Sequence, residues 1–175
     1  ALNIGETDTD AVIEGEAVIT NARDVTLSAS SKNDMQTFAG GGSAGATAVT
    51  PVVAITVSNN DTRAILEGLT DDTSGDPQAM SLTRNLSASA SHSGLVEGMA
   101  EGDTKSGETG VGISLALTIG TDDVLATTNR DLNAGGSIAF NARSAGANRA
   151  EAKASVAGGD GTAASANDGD NQGGG

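Results

Sequence analysis

Three blocks of this chain carry one pattern: ALNIGETDTDAVIEG at 1–15, AITVSNNDTRAILEG at 54–68 and ALTIGTDDVLATTNR at 116–130. Superposed, they share Ala1/Ala54/Ala116 and then an aliphatic pair, Leu2 and Ile4, Ile55 and Val57, Leu117 and Ile119. An acid follows at Asp8/Asp61/Asp123, then Ala11/Ala64/Ala126. The block starts at 1, 54 and 116 lie 53 and 62 residues apart. A recurring period of this size means stacked supersecondary units, each unable to bury its own apolar face alone. The whole of 1–175 is therefore expected to be a single repeat array, with a Gly/Asp/Asn-rich end at 158–175.

Strand signals dominate the blocks. Residues 52–57 and 112–119 place apolar side chains at every second position, as Ile113, Leu115, Leu117 and Ile119 show. That is the period of a half-buried strand. Residues 17–21, 24–30, 79–84 and 137–142 read as further strands, and 150–157 is assigned strand by analogy. Turns are expected where Gly, Asn and Asp gather, at 58–61, 71–76, 120–123 and 133–136. Two further phrases recur: GEAVITNAR at 15–23 matches GGSIAFNAR at 135–143, with QAMSLTRN at 78–85 a looser copy. LSASSKND at 27–34, LSASASHS at 86–93 and AEAKASVAGG at 150–159 form the other set. Helix is not expected, because no capped segment shows a 3.6-residue period.

The chain has no Trp, Tyr or Cys, and Phe38 and Phe140 are its only aromatic residues. An isolated unit of roughly 60 residues with so little to bury does not stand alone without a metal or disulfide. Stacking the units into one continuous coil removes that difficulty. The expected fold is all-β, a β-solenoid (parallel β-helix-like) of about three repeats, its interior filled by ladders of Ala, Val, Ile and Thr. Tandem small β-sandwich repeats are the alternative.

Net charge is −14, from 23 acids against 9 bases. That excludes nucleic acid, whose phosphates need concentrated Lys and Arg, and it argues against anionic membrane surfaces. No stretch reaches the roughly 20 apolar residues that span a bilayer, so no membrane insertion is expected. Calcium is the favoured cation, since Asp, Asn and carbonyl oxygens at turns suit it. Asp8, Asp10, Asp61, Asp122 and Asp123 are the candidate ligands, falling near one repeat position. No EF-hand spacing and no tandem calcium-roll nonapeptide is present. No other cofactor is expected.

Catalytic patterns are weak. Ser43 sits in GGGSAG, formally G-x-S-x-G, but a nucleophile elbow needs a following helix and a nearby His and acid. Gly40, Gly42 and Gly45 satisfy G-x-G-x-x-G, empty for the same lack of a helix. His92, the one histidine, cannot form a zinc site alone and is expected to face solvent. Asp71, Asp72, Asp122 and Asp123 are the adjacent carboxylate pairs for a solenoid polysaccharide enzyme, an alternative disfavoured by the lack of aromatic sugar platforms. No enzyme is expected. NDT at 60–62 and NLS at 85–87 match the N-glycan acceptor pattern, and the threonines do not form the ranked array that ice binding wants.

The phrases GVGISLALTIGTDDVLATTN, AVTPVVAITVSNNDTRAILEG and GGSIAFNARS resemble the Ala/Gly/Thr-rich repeats of giant bacterial surface proteins and exoproteins. Those are filamentous-haemagglutinin-like adhesin arrays, and the likeness runs over nearly the whole chain. It implies a secreted or cell-surface, elongated, adhesive or matrix-forming protein, with no catalytic residue to carry over. The expected partners are the chain itself in a head-to-tail homopolymer, or neighbouring repeats of a longer chain, with a cell-surface glycan as candidate ligand. A fourth block falling due at about 176 suits both a filament subunit and an excised segment.

Overall fold

The computed structural model describes residues 1–68 and 80–158. Six strands form: β1 (Leu2–Ile13), β2 (Val25–Leu66), β3 (Met80–Leu82), β4 (Leu86–Thr128), β5 (Leu132–Ala134) and β6 (Ile138–Ala157). The long strands stack as β1-β2-β4-β6 and the short ones pair as β3-β5, every pairing parallel. Repeats therefore pair with one another and do not each close an antiparallel sandwich of their own. The chain is all-β with long parallel strands, the arrangement a β-solenoid requires.

Within β2 and β4 the chain doubles back on itself while staying extended. Ser43 Oγ lies 2.6 Å from Thr50 Oγ1, and Ser31 Oγ lies 2.6 Å from Thr62 Oγ1. Each of these strands thus has an outgoing arm and a returning arm that meet through side chains. The reversal in β2 coincides with a register irregularity between Gly45 and Thr47. Among the described residues, β1 is a returning arm and β6 an outgoing arm. The two complete turns lie between them.

The block alignment read from the sequence is the register of the sheet. Leu2 pairs with Ile55 and Ile55 with Leu117; Asp8, Asp61 and Asp123 share one column, as do Ala11, Ala64 and Ala126. The other two phrases are out of register. Val25, not Leu27, pairs with Leu86, and Leu27 stacks on Ala88. Gly135–Arg143 does not align with 15–23, because Ala22 bridges Leu82 and Leu82 pairs with Ala134. Ala150 lies beside Gly98, far along the arm from the copy at 86–93.

Two expected turns, 58–61 and 120–123, are strand interior: Ser58–Asp61 pairs residue by residue with Gly120–Asp123. Asn and Asp are tolerated there because the facing arm satisfies their side chains. The expected strand at 17–21 is instead irregular, with Asn21 in the left-handed region at φ 58°, a conformation Asn adopts more readily than most residues. The expected turn at 71–76 lies outside the described residues.

The interior also differs from expectation. On the returning arms Ala54, Thr56, Ser58, Ala64 and Leu66 are buried, while Leu115, Leu117 and Ile119 are 44–53% exposed. Alternation fixes which residues share a face but not which face points inward. Here the small-residue face turns in, because the opposite arm offers equally small residues. A Cβ added at Gly98 would lie 2.8 Å from Thr118 Oγ1, and one at Gly102 would lie 2.9 Å from Ser114 Oγ. The arms are close enough that aliphatic side chains at these positions would force them apart.

Among the described residues the fully buried large aliphatic side chains, Leu66, Met80 and Leu86, collect at the base. There Leu27, Leu66, Leu86, Met80 and Leu82 pack with Ile13, Leu132 and Phe140, the short β3–β5 wall closing the third side. Nearer the reversal a second cluster holds Ala39, Val52, Ala54 and Ala100. Between them, Thr37 Oγ1 is buried without a hydrogen-bond partner. Thr37→Val removes that hydroxyl at nearly constant shape, and chemical denaturation is expected to register a gain of about 1 kcal/mol.

Candidate functional site

Midway along the arms the interior turns polar. Ser31, Asn33 and His92 come from outgoing arms, and Ser58, Asn60, Thr62 and Asp122 from returning arms. His92 Nδ1 lies 2.7 Å from Ser31 Oγ, and its Nε2 lies 3.2 Å from Asp122 Oδ1. Asn60 Nδ2 donates to Asp122 Oδ1 at 2.8 Å, while its Oδ1 accepts from Asn33 Nδ2 at 2.7 Å. Ser31 Oγ also bonds Thr62 Oγ1. A polarised chain fits: Thr62 donates to Ser31, Ser31 to His92 Nδ1, and His92 Nε2–H to Asp122. His92 is 4% exposed, which corrects the expectation of a solvent-facing side chain. Its neighbour strands supply Ser31 and Ser144 in the same column, and the facing arm supplies the acid.

The order Ser31–His92–Asp122 has the composition of a nucleophile–base–acid chain, yet it sits between two packed arms. Its hydroxyl is engaged by Thr62 on one side and His92 on the other. The arrangement locks register across the arch, since each member has a partner only when the arms are correctly phased. His92→Leu deletes both bonds and leaves Ser31 with Thr62, and Asp122 with Asn60. A loss of about 2 kcal/mol in unfolding free energy is expected by denaturant titration.

Ser43, the formal elbow serine, sits near the reversal bonded to Thr50, with returning strand following it. Gly40, Gly42 and Gly45 lie in that same continuous strand.

The acids separate into two settings. Asp8, Asp61 and Asp123 form an outward column at strand spacing, about 4.8 Å per step, and Asp61 is bound by Arg63 at 2.7 Å. Asp10 stands beside Arg63 in the next outward column. Asp122 faces inward with His92 and Asn60, so it does not share a site with Asp123. Among the described residues no three His, Cys, Asp or Glu side chains gather in the manner of a metal centre. Asp71 and Asp72 lie outside those residues.

Comparison with protein-family models, with curated proteins and with solved structures finds no match. The site must therefore be read from its own chemistry. On the outer face of the outgoing arms, ions run along the ladder. Glu97 accepts from Arg149, Arg149 also reaches Glu151, and Lys153 lies 2.7 Å from Glu151. The hydrogen bond from Lys153, then its charge, holds the Glu151 carboxyl below its ordinary value and raises Lys153. Lys32 does the same to Asp34, and the Asn85 amide lowers Asp24. A shallow groove on this face is lined by Phe38, Gly40, Glu101, Asp103, Lys153 and Ser155; Gly40, whose Cβ would meet the Phe38 ring, leaves it open. Asn60, the acceptor of the first glycan pattern, is 1% exposed, so that pattern is closed in the folded chain.

Sequence reasoning missed Arg130. This side chain is 8% exposed and donates to the carbonyls of Glu14, Gly15, Ala17 and Glu67. It ties three segments together at the base. No local motif marks it. The one signal was its place at the very end of the third block, where the returning arm must turn into the wall.

Proposed function

We propose that the chain is a structural, adhesive repeat element of an extracellular or cell-surface fibre, extended end to end by addition of parallel strands. The observation that carries this reading is the complementarity of the two ends. Among the described residues, β1 and the outgoing arm of β2 pair on one side only, as do the returning arm of β4 and β6. One end offers a returning arm and the other an outgoing arm, which together make one complete turn. Unpaired backbone groups at such edges template the next strand. The resemblance to adhesin repeats supports the extracellular setting, and the charge of −14 keeps such assemblies soluble.

The backbone geometry specifies the test. Ala1 and Ile13 direct their carbonyls to β2, so the odd residues of β1 bond inward and the even ones face the open edge. Proline at Glu6 and Asp10 deletes two edge donors and leaves the β1–β2 ladder intact. Negative-stain electron microscopy of the wild-type chain is expected to show long uniform fibres. The Glu6→Pro, Asp10→Pro chain is expected to give short single rods with an unchanged circular-dichroism spectrum. Short rods from the wild-type chain would sink the proposal.

A further inference from the structure

The outward face of the returning arms is a flat, uncharged aliphatic surface. Five successive columns contain only Val49 and Val111, Pro51 and Ile113, Val53 and Leu115, then Leu2, Ile55 and Leu117, then Ile4, Val57 and Ile119. Nine of these side chains are 42–69% exposed. At roughly 90 Å² apiece they present on the order of 800 Å² of apolar surface, beyond the few hundred that a soluble monomer ordinarily leaves in water. We propose that this face is the docking surface for the same face of a second copy, making a side-by-side dimer.

Three features identify the occupant. The area matches what one partner contributes to a standard specific interface, about 800 Å². The face is self-complementary in chemistry, aliphatic throughout, with the flatness of a strand ladder that lets two sheets pack at about 10 Å. The charges at its borders select the orientation. One border is the column Glu6, Asn59 and Thr121, with the acid column Asp8/Asp61/Asp123 one step beyond it, and the other is the uncharged pair Thr47 and Thr109. A twofold axis along the stacking direction sets each Glu6 column against the partner's threonines and keeps the two acid columns at opposite edges; a twofold along the strands sets acid on acid. The first arrangement is the one formed. It brings residue 115 of one copy opposite residue 115 of the other, both stacks pointing the same way.

This inference is independent of end-to-end growth, and its test is built to keep the two apart. Sedimentation equilibrium is carried out on the Glu6→Pro, Asp10→Pro chain, whose ends are blocked. A dimer with a dissociation constant in the micromolar range is expected. Leu115→Lys in that background is expected to weaken it at least about 100-fold, while Phe38→Lys, exposed on the opposite arm, leaves it unchanged. Because the chain has no cysteine, Leu115→Cys in the otherwise wild-type chain gives a second readout. A bismaleimide of about 8 Å reach is expected to link Leu115→Cys chains in pairs and to leave Phe38→Cys chains single. End-to-end neighbours hold their 115 positions about 14 Å apart, three strand steps, beyond that reach. A monomer at millimolar concentration, or equal linking at both positions, overturns the proposal. So does a monomer that floats with neutral phosphatidylcholine vesicles, which assigns the face to a lipid surface.

Discussion

Leu66→Ala is expected to lower the unfolding free energy by about 3 kcal/mol, whereas Leu117→Ala is expected to change it by less than about 1 kcal/mol. The two leucines belong to matching repeat blocks and lie in returning arms of the same sheet, on opposite faces of the strand, and alternation does not say which face is inward. Their solvent exposure does: Leu66 is 0% exposed and Leu117 is 44% exposed. Leu66 sits in the base cluster with Leu27, Leu82 and Leu86, where the fully buried large aliphatic side chains among the described residues gather. Truncation there removes buried methyl groups and opens a cavity that the stacked backbone cannot collapse to fill. Leu117 points outward, so truncation loses part of its contact with Ile55, its neighbour in the column, and creates no void. Denaturant titration of the two variants, in the end-blocked chain at low concentration, separates these outcomes. A larger loss at Leu117 than at Leu66 would mean that the aliphatic face points inward.

That contrast marks where the sequence could be read and where it could not. The blocks beginning at Ala1, Ala54 and Ala116 gave the register because their columns repeat distinctive residues: an Ala, an aliphatic pair, an acid and another Ala. The Ala/Ser phrases did not, because LSAS matches itself equally well when slid by two residues. Such a slip keeps every side chain on its face. The true pairing of Val25 with Leu86 follows from packing at the base, where Leu27 and Phe140 share a column with Ala88. Asn60 and Asp122 read as turn residues because isolated Asn and Asp prefer turns. Their strand placement depends on Asn33 and His92, some 27 and 30 residues earlier in the chain, and nothing local announces that pairing. Of the candidate site residues, the Asp8/Asp61/Asp123 column was legible as a column. The inward turn of Asp122 was not, since it depends on which face the arch buries.

Arg130→Ala is expected to cost about 3–4 kcal/mol, the largest effect of any polar substitution among the described residues. Its guanidinium donates to Glu67 O at 2.7 Å, Glu14 O at 2.8 Å, Gly15 O at 2.9 Å and Ala17 O at 3.0 Å. Four carbonyls from two separate connections thus converge on one planar cation. Each bond to a charged donor contributes about 1.5–3 kcal/mol singly, but bonds that share one side chain do not add, which sets the smaller total. Residues 14–17 form no ladder with a neighbouring strand, so the guanidinium is their main anchor to the stack. Lysine cannot replace it: a single ammonium has three donors in a tight cone and lacks the fork that reaches both connections. Arg130→Lys is therefore expected to recover less than half of the loss. Hydrogen exchange locates the damage. In Arg130→Ala the amides of 14–24 are expected to exchange faster, while those of 50–64, far from the base, keep their protection relative to the lowered global stability. If Arg130→Lys is as stable as the wild-type chain, the forked geometry is not what holds the base closed, and a positive charge alone suffices there.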